Sequence, residues 1–175
     1  MGWAELGRAT GRMGSQALRD SLPHIGEVAV LGWGDKAPQP LEATAVREVL
    51  TALRRGHDLV VVDLPRAPSE SAEWAIQSCD HLYLLAATSL CGAAAARRVL
   101  SRLPSGRARL VARVTHGAVS SRDLADAIGL RLVAEVEGCR RLPEQLDLGL
   151  GPIGAKRKGP AHTAMALIAD LRGCD

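Results

Sequence analysis

The stretch DLVVVDLPR, residues 58–66, decides how this chain is read. Leu59, Val60, Val61 and Val62 run straight into Asp63, and Leu64-Pro65 closes the run. A short, continuous apolar run rich in β-branched residues has the pattern of a strand buried on both faces of a parallel sheet. Such a strand delivers its terminal carboxylate to the sheet edge where ligands bind in open α/β folds. A carboxylate there can contact Mg²⁺ through water in a nucleotide site, accept a phosphoryl group, or cap the next turn.

Outward from this stretch the pattern repeats. Strands are expected at 28–33, 59–63, 81–87, 109–114 and 132–136. Helices are expected between them. Residues 41–55 carry Val46, Val49, Leu50 and Leu53 on one stripe, with Arg54-Arg55 and Gly56 as a stop. Residues 69–78 open on serine and acidic residues, and 93–103 are alanine-rich with Pro104 after the end. Ser120 or Ser121 caps a helix through Ile128 that Gly129 closes. Pro160 starts a last helix with Ala161, Met165, Ile168 and Leu171 on one side. Alternating helix and strand give an α/β class, a doubly wound, mostly parallel sheet, in one domain over 1–175. Strand ends then bring Trp33, Asp63, Thr88 and Thr115 to one edge. Residues 1–23 are irregular, with a weak helix at 15–22, and 149–159 read as a Gly-rich basic loop.

Composition narrows the function. The chain has 175 residues, 47% hydrophobic, enough for one buried core. Aromatic residues are only 2%, with no Phe, which disfavours sites that stack bases or sugars. The net charge of +3 comes from separated pairs such as Arg54-Arg55, Arg97-Arg98 and Arg140-Arg141, plus Lys156-Arg157-Lys158. No single stripe dominates, so nucleic acid is a weakly supported partner. The four cysteines form no CxxC pair and the five histidines no HExxH, so zinc chemistry has no ligand set. No run reaches the length of a membrane span, and the chain reads as cytoplasmic. The last helix carries Asp170 and Arg172 on its polar face without a lysine cluster, which fits packing on the sheet better than lying on a membrane.

No phosphate cradle is visible. A P-loop needs GxxxxGK followed by Ser or Thr between a strand and a helix. The only lysines are Lys36, Lys156 and Lys158, and Lys36 is followed at once by Pro38 and Pro40. A receiver-type phosphoacceptor would set Asp63 against Thr88. The single helix between Asp35 and Asp63, and the lack of a lysine after Val114, argue against it. LGWGDK is the nearest approach to a dinucleotide fingerprint, and the same prolines spoil its helix start.

In order, ALRRGHDLVVVDLPR, AIQSCDHLYLLAATS and ARLVARVTHGAVSSRDLADAIGLRLVAEVEG resemble the MinD/ParA class of P-loop ATPases, and within it the actinobacterial septum site-determining or CpaE/TadZ-like branch. The resemblance runs over essentially the whole chain, and RRGHDLVVVDLPR is its most specific part. It implies that Asp63 matches the Walker B-type carboxylate that contacts the Mg²⁺ shell and the attacking water. It sets Arg113 where many members carry an adenine-reading asparagine. The family's Walker A lysines have no counterpart, so the resemblance implies ATP and Mg²⁺ only for a chain that carries that segment upstream. The implied role is a positioning protein for a septum or a pilus or secretion machine, recruited to a pole or septum. Its implied partners are a second copy or a related ATPase and components of that machinery. A missing first strand is expected to leave open edges on its neighbours. Two other readings stand beside this one: a noncatalytic α/β interaction module, and an enzyme holding a small ligand at the strand edge.

Overall fold

The computed structural model describes residues 1–7, 14–138, 142–149 and 159–173. Backbone contacts gather the chain into two compact units, Met1–Cys79 and Asp80–Asp175.

The first unit holds α1 (Trp3–Leu6), α2 (Ser15–Ser21), the two-residue strands β1 (His24–Ile25) and β2 (Val28–Ala29), α3 (Ala43–Gly56) and α4 (Glu70–Ser78). Helix α3 buries the stripe read from its sequence, Val46, Val49, Leu50 and Leu53, against Leu6, Leu18, Leu22 and Ala75. Ser69 caps α4 by accepting from the Ala72 amide at 3.1 Å.

Two of the expected strands are corrected here. The strand at 28–33 shrinks to Val28–Ala29, paired antiparallel with β1, and residues 59–63 lie in no strand. The side-chain pattern of a strand persists without its ladder. Val60, Val62 and Leu64 pack on the α3 core, whereas Leu59 and Val61 are 55% and 85% exposed. An unbroken apolar run therefore does not imply two covered faces. Here one face meets helices and the other meets solvent.

The second unit holds β3 (Leu82–Ala87), α5 (Leu90–Leu100), β4 (Ala108–Arg113), α6 (Ser121–Ile128), β5 (Leu132–Val136), α7 (Leu142–Asp147) and α8 (Pro160–Arg172). Its sheet is parallel, in the order β3-β4-β5. Leu82 pairs with Ala108 through to Ala87 with Arg113, and the β4–β5 register shifts between Leu110 and Val111. This is the doubly wound α/β class expected. Leu110, Ala112 and Ala86 bury against Ala96 of α5 and Leu124 and Ala125 of α6. Because side chains alternate along a strand, Tyr83 and Arg109 point to the opposite face, where α8 lies.

Local chemistry fixes the helix ends. Ser89 accepts from the Gly92 amide at 3.0 Å, so α5 begins before Ala93, where the alanine run hides its periodicity. Gly92 is obligatory for a packing reason: a Cβ there would lie 2.1 Å from the Ala87 carbonyl oxygen. Ser120 and Asp123 form a capping box on α6, and Gly129 ends it at φ +70, a left-handed position that glycine fills without strain. Of the basic loop at 149–159, only its end glycines fall among the described residues.

Candidate functional site

Asp63 belongs to the first unit and Arg113 to the second. Asp63 follows Val62 at the end of the run packed on α3, and its side chain is exposed. Among the described residues it has no hydrogen-bond or ion-pair partner. The turn-cap reading of this aspartate therefore fails, because a capping carboxylate must accept from a nearby backbone amide. Arg113 ends β4 with an exposed side chain, and its carbonyl accepts from the Thr88 amide at 3.0 Å.

Thr88 and Thr115 do meet at the C-terminal edge of the parallel sheet. The Thr115 amide donates to Thr88 Oγ1 at 2.8 Å, and the Thr115 hydroxyl donates to the Thr88 carbonyl at 2.7 Å. A hydroxyl has one proton, so the 3.0 Å contact between the two hydroxyls has Thr88 as donor. Both protons are consumed within the pair, and Thr88 is 1% exposed. The pair clasps the ends of β3 and β4 together and has no hydroxyl proton left to donate to a ligand.

The strongest electrostatic arrangement was not foreseen. Tyr83, Arg109 and Arg131 stand in one row across β3, β4 and the entry to β5, and all three hold Asp170 of α8. The Tyr83 hydroxyl donates to Oδ2 at 2.8 Å, Arg109 Nη1 donates to the same oxygen at 2.5 Å, and Arg131 Nη2 donates to Oδ1. The Asp170 side chain is only 7% exposed. Burial pushes its carboxyl pKa up, but the hydrogen bonds from Tyr83, Arg109 and Arg131 outweigh that and hold it at about 2. Burial and the same carboxylate raise the Tyr83 phenol above its usual range. About two turns earlier, Thr163 Oγ1 donates to the Glu135 carbonyl at 2.8 Å. Helix α8 is thus tied near both ends by polar groups. This corrects the apolar stripe read for it: Met165 is 65% exposed, and Asp170, assigned to the outer face, faces the sheet. A signal was present in the sequence. Arg109 sits inside an apolar strand beside the chain's one tyrosine-bearing strand, and a charge so placed requires a counter-charge.

Backbone comparison with solved structures now places this architecture. A ParA family ATPase from Chlorobium tepidum superposes with a TM-score of 0.75 over 95% of this chain and 74% of that one, at 15% identity. The fold is that of the ParA and MinD P-loop ATPases. The MinD cell division protein of Aquifex aeolicus superposes at 0.65 over 92% of this chain and 80% of its own, at 16% identity. MinD in a MinC:MinD complex from the same organism superposes at 0.63 over 77% and 61%, at 18% identity. In sequence, two uncharacterized proteins of Mycobacterium tuberculosis, one from each of two strains, are 31% identical over 150 residues. That match takes in 84% of this chain but 43% of each relative, so the chain spans less than half the length of the curated proteins it matches. No protein-family model matches the chain.

The ParA neighbour is an ATPase, and the lysine among this chain's described residues, Lys36, is engaged elsewhere. Lys36 Nζ is bound to Glu5 Oε1 at 2.5 Å, in a turn where its amide contacts the Trp33 carbonyl. That pairing holds the Glu5 carboxyl below its usual range, helped by the Gly2 amide. Among the described residues no group of three or more His, Cys, Asp or Glu gathers to hold a metal. Among the described residues Asp63 belongs to no such group. Among these residues no helix is long and apolar enough to cross a membrane.

Proposed function

We propose that this chain is a ParA/MinD-like positioning protein of the CpaE-like, septum site-determining kind, acting through protein contacts at a septum or a pilus or secretion machine rather than through nucleotide turnover. The observation that carries the reading is the backbone likeness to ParA and MinD over nearly the whole chain, with no basic cradle beside Asp63 among the described residues. Arg113 in place of an adenine-reading amide points the same way. The partners that fit are a second copy or a related ATPase and the proteins of the machine itself. The MinD of Aquifex aeolicus is known in complex with MinC, which makes a protein partner a reasonable model for this fold.

Two measurements test the two halves of this proposal. A fluorescent fusion in native cells is expected in foci at a pole or septum, and uniform fluorescence would overturn the positioning role. Calorimetric titration of the 175-residue chain with Mg-ATP is expected to give no saturable heat. Saturable binding that Asp63→Ala abolishes would restore the ATPase reading.

A further inference from the structure

We propose that α8 is a strap that unlatches as one piece from a sheet that stays folded, and that a phosphate-type oxyanion opens it by competing for the donors that hold Asp170. Asp170 follows Thr163 by two helical turns, so the two residues that bond to the sheet share one side of the helix. Ala166 and Leu167 stand between them on that side, and both are only partly buried. Of the 13 residues of α8, Thr163 alone is buried. Helix α6, with 8 residues, buries Ser121, Leu124 and Ala125. The docking of α8 therefore rests on polar ties. Thr163 bonds a carbonyl of β5, the last strand in the sheet order, and Asp170 takes the three donors of the clasp. Releasing these ties frees the helix while the β3-β4-β5 ladder and the α5 and α6 face keep their own contacts.

What opening uncovers has the chemistry of an anion seat. Tyr83, Arg109 and Arg131 stand at the N-terminal ends of β3, β4 and β5, the opposite end of the sheet from Thr88 and Arg113. The group they hold, the Asp170 carboxylate, is itself an anion that the chain supplies. Val111 shares the face of Arg109 by alternation and pairs in register with Ala134, and both are buried. The seat is thus two guanidiniums and a phenol at the edge of an apolar floor. A guanidinium donates to phosphate oxygens with the same forked geometry that it uses on a carboxylate, so phosphate competes for these donors. A ligand that binds only the open form raises its population by mass action. The inference does not rest on the nucleotide or positioning reading.

Hydrogen-exchange mass spectrometry of the purified chain tests it, in sodium chloride and in inorganic phosphate at matched pH and ionic strength, with the amides of β4 as internal reference. In chloride the amides of residues 164–169 should exchange as a group, about tenfold or more faster than those of β4. Adding about 20 mM phosphate should speed α8 severalfold further and leave β4 unchanged. Asp170→Asn should accelerate α8 about tenfold without phosphate, since the amide keeps the shape but not the charge. Arg131→Gln, on an arginine whose side chain is 60% exposed and whose loss leaves the fold intact, should accelerate α8 less and blunt its response to phosphate. If α8 exchanges at the β4 rate in both salts, the helix opens only with the sheet and the proposal is overturned. Fast α8 exchange that phosphate leaves unchanged overturns it too, because the three donors then serve Asp170 alone.

Discussion

The two units solve the same problem to different degrees. In the second, a hydrogen-bonded parallel ladder is covered by α5 and α6 on one face, and α8 is tied to the other. In the first, α2, α3 and α4 cover one face of two extended segments whose other face carries Leu59 and Val61 in water, and residues 59–63 make no ladder. Both segments are apolar runs of similar length. What separates them is the supply of neighbours: a strand needs partners for its amides and a cover for each face, and sequence pattern specifies only that it wants them.

The contrast is sharpest in backbone protection. Amides of β4, bonded to neighbours on both sides, should exchange with solvent about a thousandfold more slowly than those of residues 59–63, which have no ladder to open. Hydrogen-exchange mass spectrometry at low protein concentration reads this directly. Equal protection would mean that 59–63 has found a strand partner, and the comparison would collapse. Next in size is the closeness of packing in the second unit. Gly92→Ala drives a methyl into the Ala87 carbonyl and should cost about 3 kcal/mol in urea unfolding, because backbone rather than a flexible side chain must move.

The tie of α8 to its sheet predicts a comparable loss with a pH signature. Asp170→Ala strands Arg109 and Tyr83 beneath the helix and should cost about 3 kcal/mol. In the native state the carboxyl titrates at about 2, below its ordinary value of 3.8. Between those values the unfolded chain binds the extra proton, so the Asp170 contribution is complete above about pH 5 and is lost progressively as pH falls through about 2. Asp170→Asn should flatten that part of the stability profile while keeping the helix docked better than alanine does. An unchanged acid limb would show that the row of Tyr83, Arg109 and Arg131 does not hold the charge.

Legibility in the sequence followed the range of the forces involved. Features set within one turn were readable: the stripe of α3, the serine cap of α4, the Ser120 and Gly129 ends of α6 and Pro160 at the start of α8 all lie where local chemistry predicts. The β4 expectation was displaced by one residue, which a periodicity of two tolerates poorly at strand ends. Long-range facts were not readable. Asp170 meets partners 39, 61 and 87 residues away, and no helical wheel shows that a carboxylate has three donors waiting across a sheet. Similarly, the run at 59–63 announces burial, but whether both its faces are covered depends on neighbours elsewhere. Of the candidate site, Asp63 was expected at a strand end by pattern, but residues 59–63 form no strand, and Arg113, which ends β4, was singled out by resemblance alone.

The smallest predicted effect tests what Asp63 is for. Its side chain is exposed and has no partner among the described residues, so Asp63→Ala should change stability by no more than about 0.5 kcal/mol in either direction. A capping aspartate would cost more, since removing the acceptor leaves an amide unsatisfied. Equilibrium unfolding of the variant separates these cases. A near-zero change leaves a carboxylate at the end of an apolar run with no structural duty, and any role it has must then lie with a bound group or a partner. A loss above about 1 kcal/mol would show that the run's end is held from within the chain, and the first unit would be more closed than its bare face indicates.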